Sequence, residues 1–147
     1  MSTIKVDTYL TRGGASEIAI DKLKGASSAG SMTVVGEGGS TTTNLQQGLN
    51  KSWINFDGTG TIASRDTFNV SGIADDGTGL YTVTFASNMS NADYASGVGS
   101  GENSSGGNRM CGLRERSTST RELRAFSVAS SATDNAEVTC IIAGDLA

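Results

Sequence analysis

A chain of 147 residues and 15.0 kDa is long enough to bury one core of ordinary size without disulfides or metals. Histidine is absent and the net charge is -4, which excludes Ser-His-Asp and Cys-His catalysis and His-ligated zinc. Nor does an acidic chain offer the basic surface that nucleic-acid backbones require.

No run of residues approaches the roughly 18 apolar positions of a membrane span. The opening Met1-Ser2-Thr3-Ile4-Lys5-Val6 has no signal-peptide character, so a soluble product made in the cytoplasm is expected. Gly, Ser and Thr together fill roughly two-fifths of the chain, and Pro is absent, a composition that suits short strands and turns better than long helices.

Residues 1–25 form a first zone. Ile4-Lys5-Val6-Asp7 alternates apolar and polar as a half-buried strand does, and Ile18-Ala19-Ile20 follows the break at Gly13-Gly14. So short a segment buries little unless it pairs. It is expected to anchor the chain to another protein through Ile4, Val6, Ile18 and Ile20. Residues 26–51 read as a Gly/Ser/Thr-rich linker ending in a short helix. Leu45, Leu49 and Trp53 recur every fourth residue and so share one helical face, with Asn44 or Thr43 as the N-cap and Gly48 weakening the turn. Nothing nearby in the chain covers that face. Three copies meeting on an axis would bury it, so these residues are expected at a homotrimer interface.

Residues 52–147 read as an all-β unit of the sandwich or jelly-roll type. Trp53-Ile54-Asn55-Phe56 runs into the turn Asp57-Gly58-Thr59-Gly60. Phe68-Asn69-Val70-Ser71-Gly72-Ile73 alternates as one strand, and Asp75-Asp76-Gly77-Thr78-Gly79 turns into Leu80-Tyr81-Thr82-Val83-Thr84-Phe85, the clearest hairpin in the sequence. Further strands are expected over 94–98, 110–116, 123–129 and 138–142.

These blocks also carry a resemblance. The run Lys51 to Ile73, the hairpin Asp75 to Phe85, residues Met89 to Tyr94 and the opening Ser2 to Thr8 resemble tail-fibre-like virion proteins of marine tailed bacteriophages, of the cyanophage and pelagiphage type. That family has a W-V/I-N-F-N/D-G-T-G block, an R-D-S/T-F-N-V-S block and a D-N/D-G-T-G-x-Y-T-V-x-F hairpin. The resemblance covers over a third of the chain and leaves the last fifty or so residues unmatched. It implies a homotrimeric, non-enzymatic virion component with an anchored end, a distal globular end and other phage virion proteins as partners. Family fibres are often several hundred residues long, and this chain has no shaft. Two placements follow: a short fibre on the tail that attaches to host-surface glycan, or a decorating (cement) protein that stabilises the head.

Candidate chemistry is sparse. Asp57-Gly58 and Asp75-Asp76-Gly77 lack the ligand spacing of a calcium loop and are expected to serve turn geometry, with no metal or cofactor. Cys111 and Cys140 have neither disulfide-framework nor metal spacing and read as buried free thiols. No carboxylate pair stands out as a glycosidase acid and nucleophile. For receptor contact the candidates are Tyr94, which could stack on a sugar, and Asn103 and Asn108 in the glycine-rich loop. Arg114 and Arg116, two apart on one strand, are expected on one face as anion donors, or else, with Glu115 and Glu122 interleaved among the arginines, as polar-face residues of two neighbouring strands that form cross-strand pairs.

Overall fold

The computed structural model describes residues 22, 31–101, 109–127 and 129–145. The anchoring candidates Ile4, Val6, Ile18 and Ile20, and with them Asn103 and Asn108, lie outside the described residues. What is described is all-β in antiparallel sheets, with one short helix. Strands β1 (Thr33–Val35) and β2 (Thr42–Asn44) pair as a hairpin within the Gly/Ser/Thr-rich zone. Helix α1 (Leu45–Gly48) follows directly, its Gln47 amide donating to the Asn44 side chain at 3.1 Å, as an N-cap requires.

The helix stops there, which overturns the expected helical face of Leu45, Leu49 and Trp53. Leu49 is the C-cap with extended backbone, and Trp53 lies within β3 (Asn50–Asp57). The reason is pairing: from Asn50 onward the backbone is hydrogen-bonded across sheet neighbours, and Ser52, Ile54 and Phe56 alternate into the core. An isolated helical turn cannot compete with that burial.

The remaining strands are β4 (Ala63–Phe68), β5 (Val70–Gly77), β6 (Leu80–Phe85), β7 (Ala95–Gly101), β8 (Arg109–Arg116), β9 (Thr120–Ser127) and β10 (Glu137–Ala143). They build two four-stranded sheets, ordered β4-β3-β10-β7 and β5-β6-β9-β8. The expected single strand from Phe68 to Ile73 is therefore two strands in different sheets. Asn69 is the corner: its φ is +56°, a left-handed conformation that Asn tolerates better than most residues. Its side-chain amide donates to the Lys51 and Ser87 carbonyls at 2.9 and 3.0 Å, and its Oδ1 accepts from the Ser87 amide at 2.6 Å. One side chain thus ties the first sheet to the end of β6.

Both sheets contribute to a single buried cluster. Ile54, Phe56, Val138, Cys140 and Ile142 come from one, and Tyr81, Val83, Phe85, Leu123 and Ala125 from the other. Phe56 and Tyr81 meet edge to face at 5.0 Å between ring centroids. Burying a ring such as that of Phe56 contributes roughly 1.5–3 kcal/mol. The β5–β6 hairpin closes through Thr78-Gly79, where Gly79 has a φ of +67° and no room for a Cβ against the Ala125 carbonyl.

Candidate functional site

Tyr94 does not present its ring to solvent. It is 5% exposed, packs edge to face on Phe85, and donates its hydroxyl to the carbonyls of Ser117 and Thr120 at 3.1 and 3.0 Å. The Arg121 guanidinium lies 6.0 Å from its ring centroid and is itself in the interior. Burial pushes the Tyr94 phenol pKa upward. Sugar stacking at Tyr94 is corrected accordingly: the residue braces the 117–120 turn.

Arg114 and Arg116 do not share a face. The β8–β9 register shifts between Leu113 and Arg116, so that Arg116 stands opposite Arg121, whose side chain turns inward. A one-residue bulge reverses the side-chain alternation, and a period-two count cannot foresee it. Arg114 approaches Glu122 at 3.7 Å and Arg116 approaches Asp93 at 3.9 Å. Both contacts are long and solvent-exposed, the kind that contributes at most about 1 kcal/mol. The pairing of Arg114 with Glu122 follows the cross-strand alternative.

The turn carboxylates are occupied by their own turns. Asp57 Oδ1 accepts from the Thr59 hydroxyl and amide at 2.6 and 2.9 Å, and its Oδ2 meets Arg65 at 3.1 Å. The Thr59 contacts, more than Arg65, hold its carboxyl below the usual carboxylate range. Asp75 accepts from the Gly77 amide and Asp76 from the Thr82 hydroxyl. Among the described residues no three His, Cys, Asp or Glu side chains converge to hold a metal. Both cysteines carry free thiols, Cys140 buried and Cys111 half-buried. Burial pushes their pKa values up to about 12 and about 11 respectively, far from nucleophilic. No helix among the described residues is long and apolar enough to cross a membrane.

The feature that sequence reasoning missed is a set of apolar side chains left exposed on both sheets. On β5-β6-β9-β8, Met110 and Leu113 of β8 are exposed, and the outward positions of the two central strands mix Leu80 and Phe126 with Thr82, Thr84, Glu122 and Arg124. On β4-β3-β10-β7 one cross-strand row reads Phe68, Trp53, Ile141, Gly97. Phe68 is 51% and Ile141 48% exposed, with Trp53 half-buried between them. The next row is polar: Asp66, Asn55, Thr139, Gly99. A signal for it existed in the alternation of Trp53-Ile54-Asn55-Phe56, which already puts Trp53 opposite to the core side. Leu45 is half-buried and Leu49 exposed, both in α1 or its cap beside the start of β3. The α1 turn is fastened there by Lys51, whose ammonium donates to the Gln46 carbonyl, and by Gln47, which donates to Asp145 at 2.6 Å. Comparisons of the chain with protein-family models, with curated proteins and with solved structures find no match.

Proposed function

We propose that the chain is a non-enzymatic structural protein of a tailed-bacteriophage virion, a short tail-fibre-like homotrimer. Its N-terminal residues 1–25 attach to other virion proteins, residues 26–51 link, and residues 52–147 form the distal domain, in which the two four-stranded sheets stack as a jelly-roll-like sandwich. The distal end faces the host surface and its glycans. The observation that carries this reading is what the resemblance blocks build. They form β3 with its turn, the β4–β5 corner at Asn69 and the β5–β6 hairpin. Their polar residues Asp57, Asn69, Asp75 and Asp76 are all hydrogen-bonded within turns and corners. These four polar side chains serve the framework, which supports a structural role for the blocks that contain them.

Phe68 and Ile141, exposed on either side of Trp53 in one cross-strand row, give a second support, since contiguous apolar surface marks interaction sites. The test is absolute mass by light scattering on the purified protein at micromolar concentration. Three times the 15.0 kDa chain mass is expected, and a stable folded monomer would remove the homotrimer. Removing residues 1–25 should leave the shortened chain folded and trimeric but abolish incorporation into particles. Gold-labelled antibody on the capsid rather than the tail would replace the fibre with the head-decorating role.

A further inference from the structure

We infer that Arg116 and Arg121, at the end of the β unit where the linker joins, form a carboxylate-binding site that takes an acidic side chain of the virion protein holding this chain. The inference rests on the attachment proposed above and names the chemistry of its partner.

Arg121 occupies an inward position of β9. Along that strand Arg121, Leu123 and Ala125 are buried in alternation, so the cation stands on the face that apolar side chains take elsewhere. It is 4% exposed, and its Nε is buried without a hydrogen-bond partner. Among the described residues no carboxylate pairs with it. Its surroundings supply no negative charge either. Val83 of β6 and Arg116 of β8 are its cross-strand neighbours, and the neutral Tyr94 ring lies 6.0 Å from the guanidinium. Cys140 is near enough to feel the charge, but burial keeps that thiol protonated up to about 12. A guanidinium does not neutralise itself by losing its proton. The interior therefore holds an uncompensated cation, which costs stability.

Arg116 sets a second cation beside the first. The two are directly opposed in the β8–β9 register, where like charges repel. The turn between them is fixed, so the strands cannot part to relieve that repulsion. The Ser117 amide donates to the Thr120 carbonyl at 2.9 Å, and Ser117 Oγ accepts from the Ser119 and Thr120 amides at 3.1 and 2.9 Å. The Tyr94 hydroxyl donates to the carbonyls at both ends of the turn. Asp93 offsets Arg116 in part, from 3.9 Å and with its own side chain 87% exposed. Two cations and one carboxylate leave one positive charge, which a single carboxylate matches better than a doubly charged phosphate. Arg116, its side chain 50% exposed, offers its fork to that carboxylate. Arg121 adds its field through a low-dielectric interior.

Placement selects the source of the acid. The Met89 amide donates to the Thr118 carbonyl at 2.8 Å, and the Ser90 amide to the Asp145 carbonyl at 2.9 Å. Asp145 in turn accepts from Gln47 of α1, which leads into β3. The 117–120 turn thus lies beside the linker, whereas the turns at Gly58 and Gly79 close the opposite ends of β3 and β6. With the chain anchored through residues 1–25, this end faces the particle and not the host surface.

The test titrates a hexaglutamate peptide into the full chain, against hexaglutamine at matched ionic strength. The Arg121 Nε–H resonance, identified by its proximity to the Tyr94 ring, should shift saturably with hexaglutamate and not with hexaglutamine. Arg116→Gln, at an exposed position, should weaken peptide binding roughly tenfold, and Asp93→Asn should tighten it. An unmoved resonance, or equal binding by wild type and Arg116→Gln, would overturn the site. A glucuronate polysaccharide that binds more tightly than the peptide at equal carboxylate concentration would overturn the choice of a protein partner. In co-expression Arg116→Gln should enter particles less than wild type, and equal incorporation would overturn the same choice. Peptide binding by a protein absent from every particle would keep the carboxylate site and remove the attachment reading.

Discussion

Asn69 is the residue on which the two sheets turn, and replacing it isolates what that corner contributes. Asn69→Ala removes three side-chain hydrogen bonds, to the Lys51 and Ser87 carbonyls and from the Ser87 amide. At about 1 kcal/mol net each, their loss costs about 3 kcal/mol. Alanine must also hold the +56° φ, adding roughly 1 kcal/mol. Because the site is half-buried, water recovers part of the bonding, so about 3 kcal/mol in all is expected. Asn69→Gly loses the same bonds without the backbone strain and should cost about 2 kcal/mol. Asn69→Asp keeps the acceptor for Ser87 but turns a carboxylate toward two carbonyl oxygens, and should be at least as harmful as alanine. Urea unfolding at one fixed protein concentration, with the slope unchanged between variants, measures all three. An alanine variant within 1 kcal/mol of wild type, or a glycine variant less stable than the alanine one, would refute the reasoning.

Gly58→Ala should destabilise by about 1–3 kcal/mol, since its Cβ would strike the Tyr81 hydroxyl and lie 3.0 Å from the Asn135 carbonyl; Gly72→Ala, with nothing within 4 Å, is the control expected to fold normally. In native protein at pH 8 neither thiol should react readily with an aromatic disulfide reagent, whereas urea should release both. Burial holds the Cys111 and Cys140 thiols protonated up to about 11 and about 12, while the unfolded chain ionises its thiols near pH 8.5. The unfolded state therefore binds fewer protons above that point, and stability should fall as pH rises through the alkaline range. Asp57 has the opposite sign: its folded pKa lies below the usual value, so its contribution is present above about pH 4 and is lost as pH falls through the folded pKa. An Asp57→Asn variant should show less acid sensitivity between pH 5 and 2 in the same urea titration.

The hairpin of β5 and β6 was legible because alternation, an aspartate-rich turn and a left-handed glycine all agreed on one answer. Strands β8 and β10 were legible to within a residue at their ends, and β3, β7 and β9 to within three. The corner at Asn69 was not, because a polar residue between Phe68 and Val70 satisfies strand alternation whether or not its φ is positive. The helical face failed through a similar degeneracy. Leu45, Leu49 and Trp53 fit a period of 3.6, yet Trp53 also fits the period of two in β3, and sheet pairing decided between them. Arg114 and Arg116 were separated by a bulge that no local residue signals. Tyr94 sits beside a polar loop in sequence, but its hydroxyl is held by the Ser117 and Thr120 carbonyls, long-range contacts that the residues around it do not encode. The apolar row needed the register of four strands before Phe68, Trp53, Ile141 and Gly97 came together.

The central claim is that this chain is a built-in part of a phage particle. Antibody raised against the purified protein, detected with gold on tailed-phage particles purified from infected cells that produce the protein, tests that claim most directly. Gold at the tail, at the distal position of a short fibre, is the predicted result. Particles that bear no gold anywhere, with the protein found only in the infected-cell lysate, would contradict it.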